Sequence, residues 1–190
     1  MSRKEAPMRV VIAMTGASGS IFGMEFVKSF PGEKYLIASR WAKSVMAQET
    51  GASLEDLAPH ARRVFSNEDI SSPLASGANP FDAMVVVPCS ASTLSKIAGG
   101  IADSLITRAA AVALKERRKL VLCLRETPLS SILIENMERV SRAGAVVMPI
   151  SPSFYQGAAT VADLARLFSG RIAAVLGEPV ETAGWKKELL

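Results

Sequence analysis

The sequence predicts a doubly wound α/β fold, a single Rossmann-like parallel sheet with helices on both faces. Three observations predict it. Short apolar runs alternate with helix-length stretches from one end of the chain to the other. The strong runs are continuously apolar rather than alternating, as in strands covered on both faces. No repeat, low-complexity tract or domain-splitting linker interrupts them. The 190 residues suit one domain, with residues 1–7 and 178–190 as tails. A chain that is 49% hydrophobic and 21% charged is not of the disordered class.

In order, the predicted strands are Met8–Met14 (MRVVIAM), Lys34–Ala38 (KYLIA), a weak one at Ala61–Ser66 (ARRVFS), Ala83–Val87 (AMVVV), Leu120–Leu124 (LVLCL) and Ala145–Pro149 (AVVMP). Helices are expected at about 20–30, 41–50, 92–116, 128–142 and 160–176. In the last, Val161, Leu164, Phe168, Ile172 and Val175 recur near helical spacing, and Thr160 with Asp163 forms a capping-box pattern. Thr127-Pro128 reads as an N-cap followed by proline at the first helical position.

Composition narrows the function classes. No apolar run reaches the length of a membrane span, and the first residues lack the apolar core of a secretory signal. Cys89 and Cys123 lie inside apolar runs, which argues for reduced thiols and a cytoplasmic setting. One histidine, His60, and two cysteines do not build a usual zinc site, so no metal is expected. The net charge of +4 is concentrated: Arg108, Lys115, Arg117, Arg118, Lys119 and Arg125 stand against Glu116 alone between 108 and 125. Aromatics are only 6% and do not interleave with these cations, so small phosphorylated ligands fit the region better than nucleic acid.

In a doubly wound sheet, ligands bind beyond the carboxyl ends of the strands at the point where strand order reverses. The loops there are Thr15–Ser20, Ser39–Arg40, Pro88–Thr93 and Arg125–Thr127. Thr15-Gly16-Ala17-Ser18-Gly19-Ser20 runs from a strand into a helix and offers glycines, hydroxyls and helix N–H groups to an anion. A plain tight turn would look the same. Pro88-Cys89-Ser90-Ala91-Ser92-Thr93 is a second hydroxyl-rich loop, or simply an N-cap cluster. Two such loops together are better explained by one phosphate-bearing ligand. Arg125-Glu126 is a charged pair at a strand end. Glu49 reads by itself as an ordinary solvated helix residue. Phe154-Tyr155 follows a Pro-punctuated loop able to present an aromatic ring. Cys89 has no histidine to serve as its base and reads as a packed thiol.

Taken in order, several stretches resemble the UbiX-type flavin prenyltransferases, within the wider group of homo-oligomeric flavin-containing proteins. They are TGASGSIFG (Thr15–Gly23), QET (Gln48–Thr50), VVVPCSASTLSKIAGGIADSLITRAA (Val85–Ala110), LKERRKLVLCLRETPLS (Leu114–Ser130), ENM (Glu135–Met137), GAVVMP (Gly144–Pro149) and PSFY (Pro152–Tyr155). The resemblance implies joining of a dimethylallyl group, from dimethylallyl (mono)phosphate, to N5 and C6 of reduced FMN without a metal. The product would be prenylated FMN, used by partner decarboxylases of the UbiD type. It implies FMN contacts at Gly16, Ala17, Ser18, Ser39, Ser90, Ser92, Thr93 and Arg125, with Arg108 a further basic position near the flavin. Prenyl-phosphate contacts fall on Lys115, Arg125, Tyr155 and Arg171. Glu49 and Glu126 match acids near proton transfer, assisted by Ser18. A homododecamer with sites between subunits is implied, Arg108 or Tyr155 lying near a neighbouring chain. Gln156 departs from the histidine often found after the FY pair, and Trp185 stands close to a family tryptophan.

Physical chemistry agrees with that assignment. A departing phosphate needs its developing charge neutralised, which Lys115, Arg125 and Arg171 can do, and Tyr155 can donate a hydrogen bond. The allyl fragment becomes cationic, a state that aromatic faces stabilise. The attacked ring carbon must lose a proton to a carboxylate such as Glu126. Three rivals are weaker. An NADP-dependent short-chain reductase needs a Tyr-x-x-x-Lys pair, and neither Tyr35 nor Tyr155 has lysine four residues on. An FMN-binding decarboxylase of the same group usually relies on a histidine where His60 is poorly placed. A non-enzymic flavin carrier has no use for a second phosphate site.

Overall fold

The computed structural model describes residues 6–179. Six strands, β1 (Arg9–Met14), β2 (Glu33–Ala38), β3 (Arg63–Ser66), β4 (Ala83–Cys89), β5 (Lys119–Leu124) and β6 (Val146–Val147), form one all-parallel sheet in the order β3-β2-β1-β4-β5-β6. The order reverses between β1 and β4, so the ends of those two strands open the crevice where such sheets bind ligands.

The continuous apolar runs form strands because both faces are covered. Val11, Ala13, Met84, Val86, Leu120 and Leu122 pack on one side with α3 (Ala91–Ala98), α4 (Leu105–Lys115) and α5 (Ser131–Arg142). Val10, Ile12, Met14, Val85, Val87, Val121 and Cys123 pack on the other with α1 (Ser20–Ser29), α2 (Arg40–Thr50) and α6 (Val161–Leu176). Successive strand residues thus feed opposite cores, as the period of two requires. Helix α1 presses on the end of β4: a Cβ on Gly23 would sit 2.3 Å from the Val87 carbonyl oxygen, so only glycine permits this approach.

Two predicted helices are corrected. The stretch 92–116 is two helices, because Gly99 and Gly100 end α3, Gly100 at φ +71°, and Ser104 with Thr107 starts α4 with a capping box. The helix predicted from 128 begins at Ser131. Its N-cap is Ser130, whose hydroxyl accepts from the Leu133 N–H at 3.2 Å, and not Thr127. The Thr127–Pro128 bond is cis. At α6 the Thr160–Asp163 capping box forms as the sequence predicts. Among the described residues no helix is long and apolar enough to cross a membrane.

Candidate functional site

Thr15 builds the crevice. It is buried at the end of β1, and its hydroxyl donates to the Pro88 carbonyl (2.9 Å) and accepts from the Ser90 N–H (2.8 Å). One side chain therefore locks the ends of β1 and β4 together. A cavity of about 430 Å³ lies beyond them, lined by Gly16, Ser39, Trp41, Ser90, Ser92 and Thr93, and further by residues of the β3–α4 side. Gly16 is required for its shape, since a Cβ there would stand 2.4 Å from the Trp41 Cβ.

Backbone accounting shows where this cavity takes an anion. The first N–H groups of a helix have no intrahelical acceptor. At α4 they are already satisfied: Leu105 and Ile106 donate to the Asn67 main-chain and side-chain oxygens at 2.8 and 3.1 Å, and Thr107 to Ser104. At α2 and α3, Ser39 and Ser90 cap Ala42 and Thr93. The N–H groups of Arg40, Trp41, Ala91 and Ser92 have no partner among the described residues. Two helix amino ends thus bring four unpaired donors and the hydroxyls of Ser39, Ser90, Ser92 and Thr93 to one cavity wall, an arrangement suited to a phosphate.

The Thr15–Ser20 loop works differently from the anion cradle the sequence predicts. Its helix-end donors are taken by Glu49, which accepts from Gly19 N–H at 3.0 and 3.1 Å and from Ser20 N–H at 2.8 Å. Gly19, at φ +95°, offers no side chain to cap α1, and Glu49 does so from α2. Glu49 is therefore more than a solvated helix residue. Burial pushes its carboxyl up, but hydrogen bonds from Ser18 and from the Ser20 and Gly19 N–H groups outweigh this and hold it below the ordinary value of 4.5. A depressed carboxylate contributes stability that is present above its unfolded pKa and lost as pH falls through the folded one. Glu49→Ala should thus cost about 0.5–1 kcal/mol at pH 7, toward the low end for a cap because Glu49 is exposed. The difference should shrink in urea melts repeated at successively lower pH below 4.5. A cost that persists unchanged in acid would refute the cap.

A second cavity of about 520 Å³ lies at the same sheet edge, between the loop after β6 and α6. It brings together Tyr155 and Arg171, with Met148, Pro149, Gln156 and Phe168. Phe168 is buried and holds α6 against Phe22 of α1, ring centroids 5.6 Å apart. Gln156, at the position of the usual histidine, accepts from the Ser153 hydroxyl at 3.2 Å. A third hollow of about 270 Å³ is lined by Glu126 and Ser92, so it shares a wall of α3 with the first. Arg125 follows β5 at this edge, its N–H donating to the Cys89 carbonyl at 3.0 Å.

The basic stretch, contiguous in sequence, is divided in space. Arg118 donates to the Gly77 and Asn79 carbonyls and lies over the Phe81 ring, while Lys119 donates to the carbonyls of Val175 and Leu176. These cations tie loops at the amino end of the sheet, about 20 Å from the carboxyl edge for a six-residue strand. Lys115 pairs with Glu116 at the far end of α4, about 15 Å along the helix from its amino end. Within one chain it does not join Arg125, Tyr155 and Arg171. Arg108 donates to the Ala75 carbonyl at 3.1 Å and lines neither of the two larger cavities. Trp185 lies outside the described residues.

Sequence reasoning missed Asn67, Lys96 and the clamping role of Thr15. An Asn directly after a strand is a common turn signal, and nothing local marks it as the cap of a helix that begins 38 residues later. Cys89 is fully buried and burial pushes its thiol up to about 12, in keeping with a packed side chain rather than a nucleophile.

Fold and cavities together define a doubly wound protein whose switch-point cavity carries donors suited to a phosphate, with a second cavity lined by Tyr155 and Arg171. The Flavoprotein family matches residues 1–174. A flavin prenyltransferase UbiX of Thermoplasma acidophilum is 43% identical over 90% of this chain and 95% of its own length. The mitochondrial flavin prenyltransferase of Saccharomyces cerevisiae is 41% identical over 93% of this chain and 74% of its own. A crystal structure of AnUbiX in complex with FMN and dimethylallyl pyrophosphate superposes with a TM-score of 0.88 at 40% identity, covering 95% of this chain and 100% of that one. A dodecameric FMN-dependent UbiX-like decarboxylase from Escherichia coli gives 0.90 at 38% identity, over 94% and 100%. The chain belongs to the UbiX family of flavin prenyltransferases.

Proposed function

We propose that the protein joins the dimethylallyl group of dimethylallyl monophosphate to N5 and C6 of reduced FMN, releasing phosphate and yielding prenylated FMN. The observation that carries this reading is the pair of cavities at one sheet edge: one lined by hydroxyls and unpaired helix N–H groups, the other by Tyr155 and Arg171. A carrier that only holds flavin needs the first and not the second.

The residues present fit FMN. The first cavity is within the volume range of small-ligand sites, and its four unpaired N–H groups and the hydroxyls of Ser39, Ser90 and Thr93 suit a phosphate. Gly16, Ala17 and Ser18 form the loop beside it, held by Glu49. When bound, the reduced flavin supplies the electron-rich ring that receives the allyl group. Arg171 neutralises the departing phosphate, Tyr155 donates a hydrogen bond to it, and Arg125 stands between the two ligands. Glu126 takes the proton from the flavin C6 position. Glu49 fixes the Ser18 loop by accepting from the Gly19 and Ser20 N–H groups, and with Ser18 it stands as the acid near proton transfer that supplies the prenyl carbon with its proton as the ring closes.

Lys115 contributes from a neighbouring copy, since its own helix holds it away from the other phosphate groups, and Arg108 likewise faces a neighbour rather than its own flavin. This supports a homo-oligomer with shared sites, a dodecamer by analogy with the Escherichia coli structure. The product passes to a UbiD-type decarboxylase, and the setting is the cytoplasm, in keeping with the two buried thiols. Anaerobic incubation with reduced FMN and either dimethylallyl monophosphate or diphosphate, followed by mass analysis of the flavin, tests the reading. One added prenyl unit on the flavin is expected with the monophosphate. Bound flavin of unchanged mass with both donors would favour the carrier instead.

A further inference from the structure

Three charged side chains line the cavity assigned to FMN: Arg40, Glu68 and Lys96. Two are engaged locally. The Arg40 guanidinium lies 5.4 Å from the Trp41 ring centroid, and Glu68 accepts from the Ser66 hydroxyl at 2.6 Å. Among the described residues Lys96 has a single partner, Asp103, with Nζ to Oδ2 at 2.6 Å and the two side chains 41% and 49% exposed. Asp103 directly precedes Ser104, the N-cap of α4, so the pair bridges the two helices that flank the cavity.

Lys96 is placed to leave that partner. It stands four residues after Ser92 and three after Thr93, and therefore on the helix face that carries those hydroxyls. Helical side chains lean toward the amino end, which carries a long lysine back along α3 toward the unpaired Ala91 and Ser92 N–H groups. An exposed Lys–Asp pair is held weakly and is screened by salt. A phosphate dianion half enclosed by the cavity offers the ammonium more charge and less competing water. Hydroxyls and helix N–H groups are neutral dipoles that also accommodate an alcohol. A full positive charge is what separates a phosphate from the terminal hydroxyl of riboflavin.

We propose that Lys96 is a specificity-determining residue, which exchanges Asp103 for the flavin phosphate and thereby selects FMN over riboflavin. The inference rests on the reading of this cavity as the FMN site, and the experiment separates the two. Oxidised FMN and riboflavin are titrated into the wild-type protein, Lys96→Gln, Lys96→Arg and Asp103→Asn, following flavin fluorescence at low and high salt. Lys96→Gln should weaken FMN about tenfold to a hundredfold, as for loss of one charge-assisted hydrogen bond, and leave riboflavin within about twofold. It should also flatten the salt dependence of FMN binding. Lys96→Arg should restore most of the affinity, and Asp103→Asn should bind FMN at least as tightly as wild type. Equal losses for both ligands, or none for FMN, would overturn the assignment of Lys96 while leaving the FMN site in place. A wild-type protein that binds neither flavin would overturn the site itself.

Discussion

Arg171→Ala should lower prenyl transfer about 30- to 1000-fold while leaving FMN affinity unchanged. The argument starts from α6. Its buried residues Phe168 and Ile172 fix the helix against the sheet, and Arg171 projects beside them into the cavity that Tyr155 closes from the loop after β6. Met148, Pro149 and Phe168 make much of that cavity apolar, which strengthens the interaction of a guanidinium with a phosphate whose charge grows as the carbon–oxygen bond breaks. If α2 and α3 hold the FMN phosphate, as proposed, deleting Arg171 should not touch it. Product formation by mass analysis, paired with an FMN titration, reads both halves of the prediction. Parallel losses in turnover and FMN affinity would mean that the two cavities are one site. Lys115→Ala should give the same split only if a neighbouring copy delivers the lysine, because its own chain holds it against Glu116 at the opposite end of α4.

What was legible in the sequence follows from which signals are local. Strand β4 reads from AMVVV alone because seven consecutive buried residues leave no room for polar alternation. The α6 start reads from Thr160 and Asp163 because a capping box spans only four residues. The split of 92–116 was hidden because Gly99 and Gly100 sit within an otherwise helical pattern, and single glycines are tolerated there. The strand-end loops read from the sequence do line the first cavity, yet three assignments depended on contacts distant in sequence. Glu49 caps a helix that begins 29 residues earlier. Asn67 satisfies α4 across the sheet edge. The basic stretch looked like one anion site because charge was counted along the chain, whereas β5 carries its two ends to opposite edges of the sheet. Periodicity reports which face a residue occupies; it does not report which end of a neighbouring element it meets.

Glu126→Gln should slow formation of prenylated FMN by about 100- to 10,000-fold, the range for loss of a positioned general base. Glu126 follows β5 immediately after Arg125, and the Arg125 N–H bond to Cys89 continues the β4–β5 pairing up to the residue before it. The carboxylate is oriented rather than buried: Thr127 N–H donates to Oε1 at 3.0 Å, and Oε2 has no partner among the described residues. It lines a hollow with Ser92, whose helix also walls the first cavity, so one helix separates its Oε2 from the proposed flavin site. Glutamine retains the acceptor for Thr127 and nearly the same shape, but its amide cannot take up the proton lost from flavin C6. FMN affinity and the urea midpoint should therefore match wild type while the yield of ring-closed product collapses. Product appearing within about threefold of the wild-type rate would remove Glu126 as the base and leave the proton to another acceptor, with the two-cavity site otherwise intact.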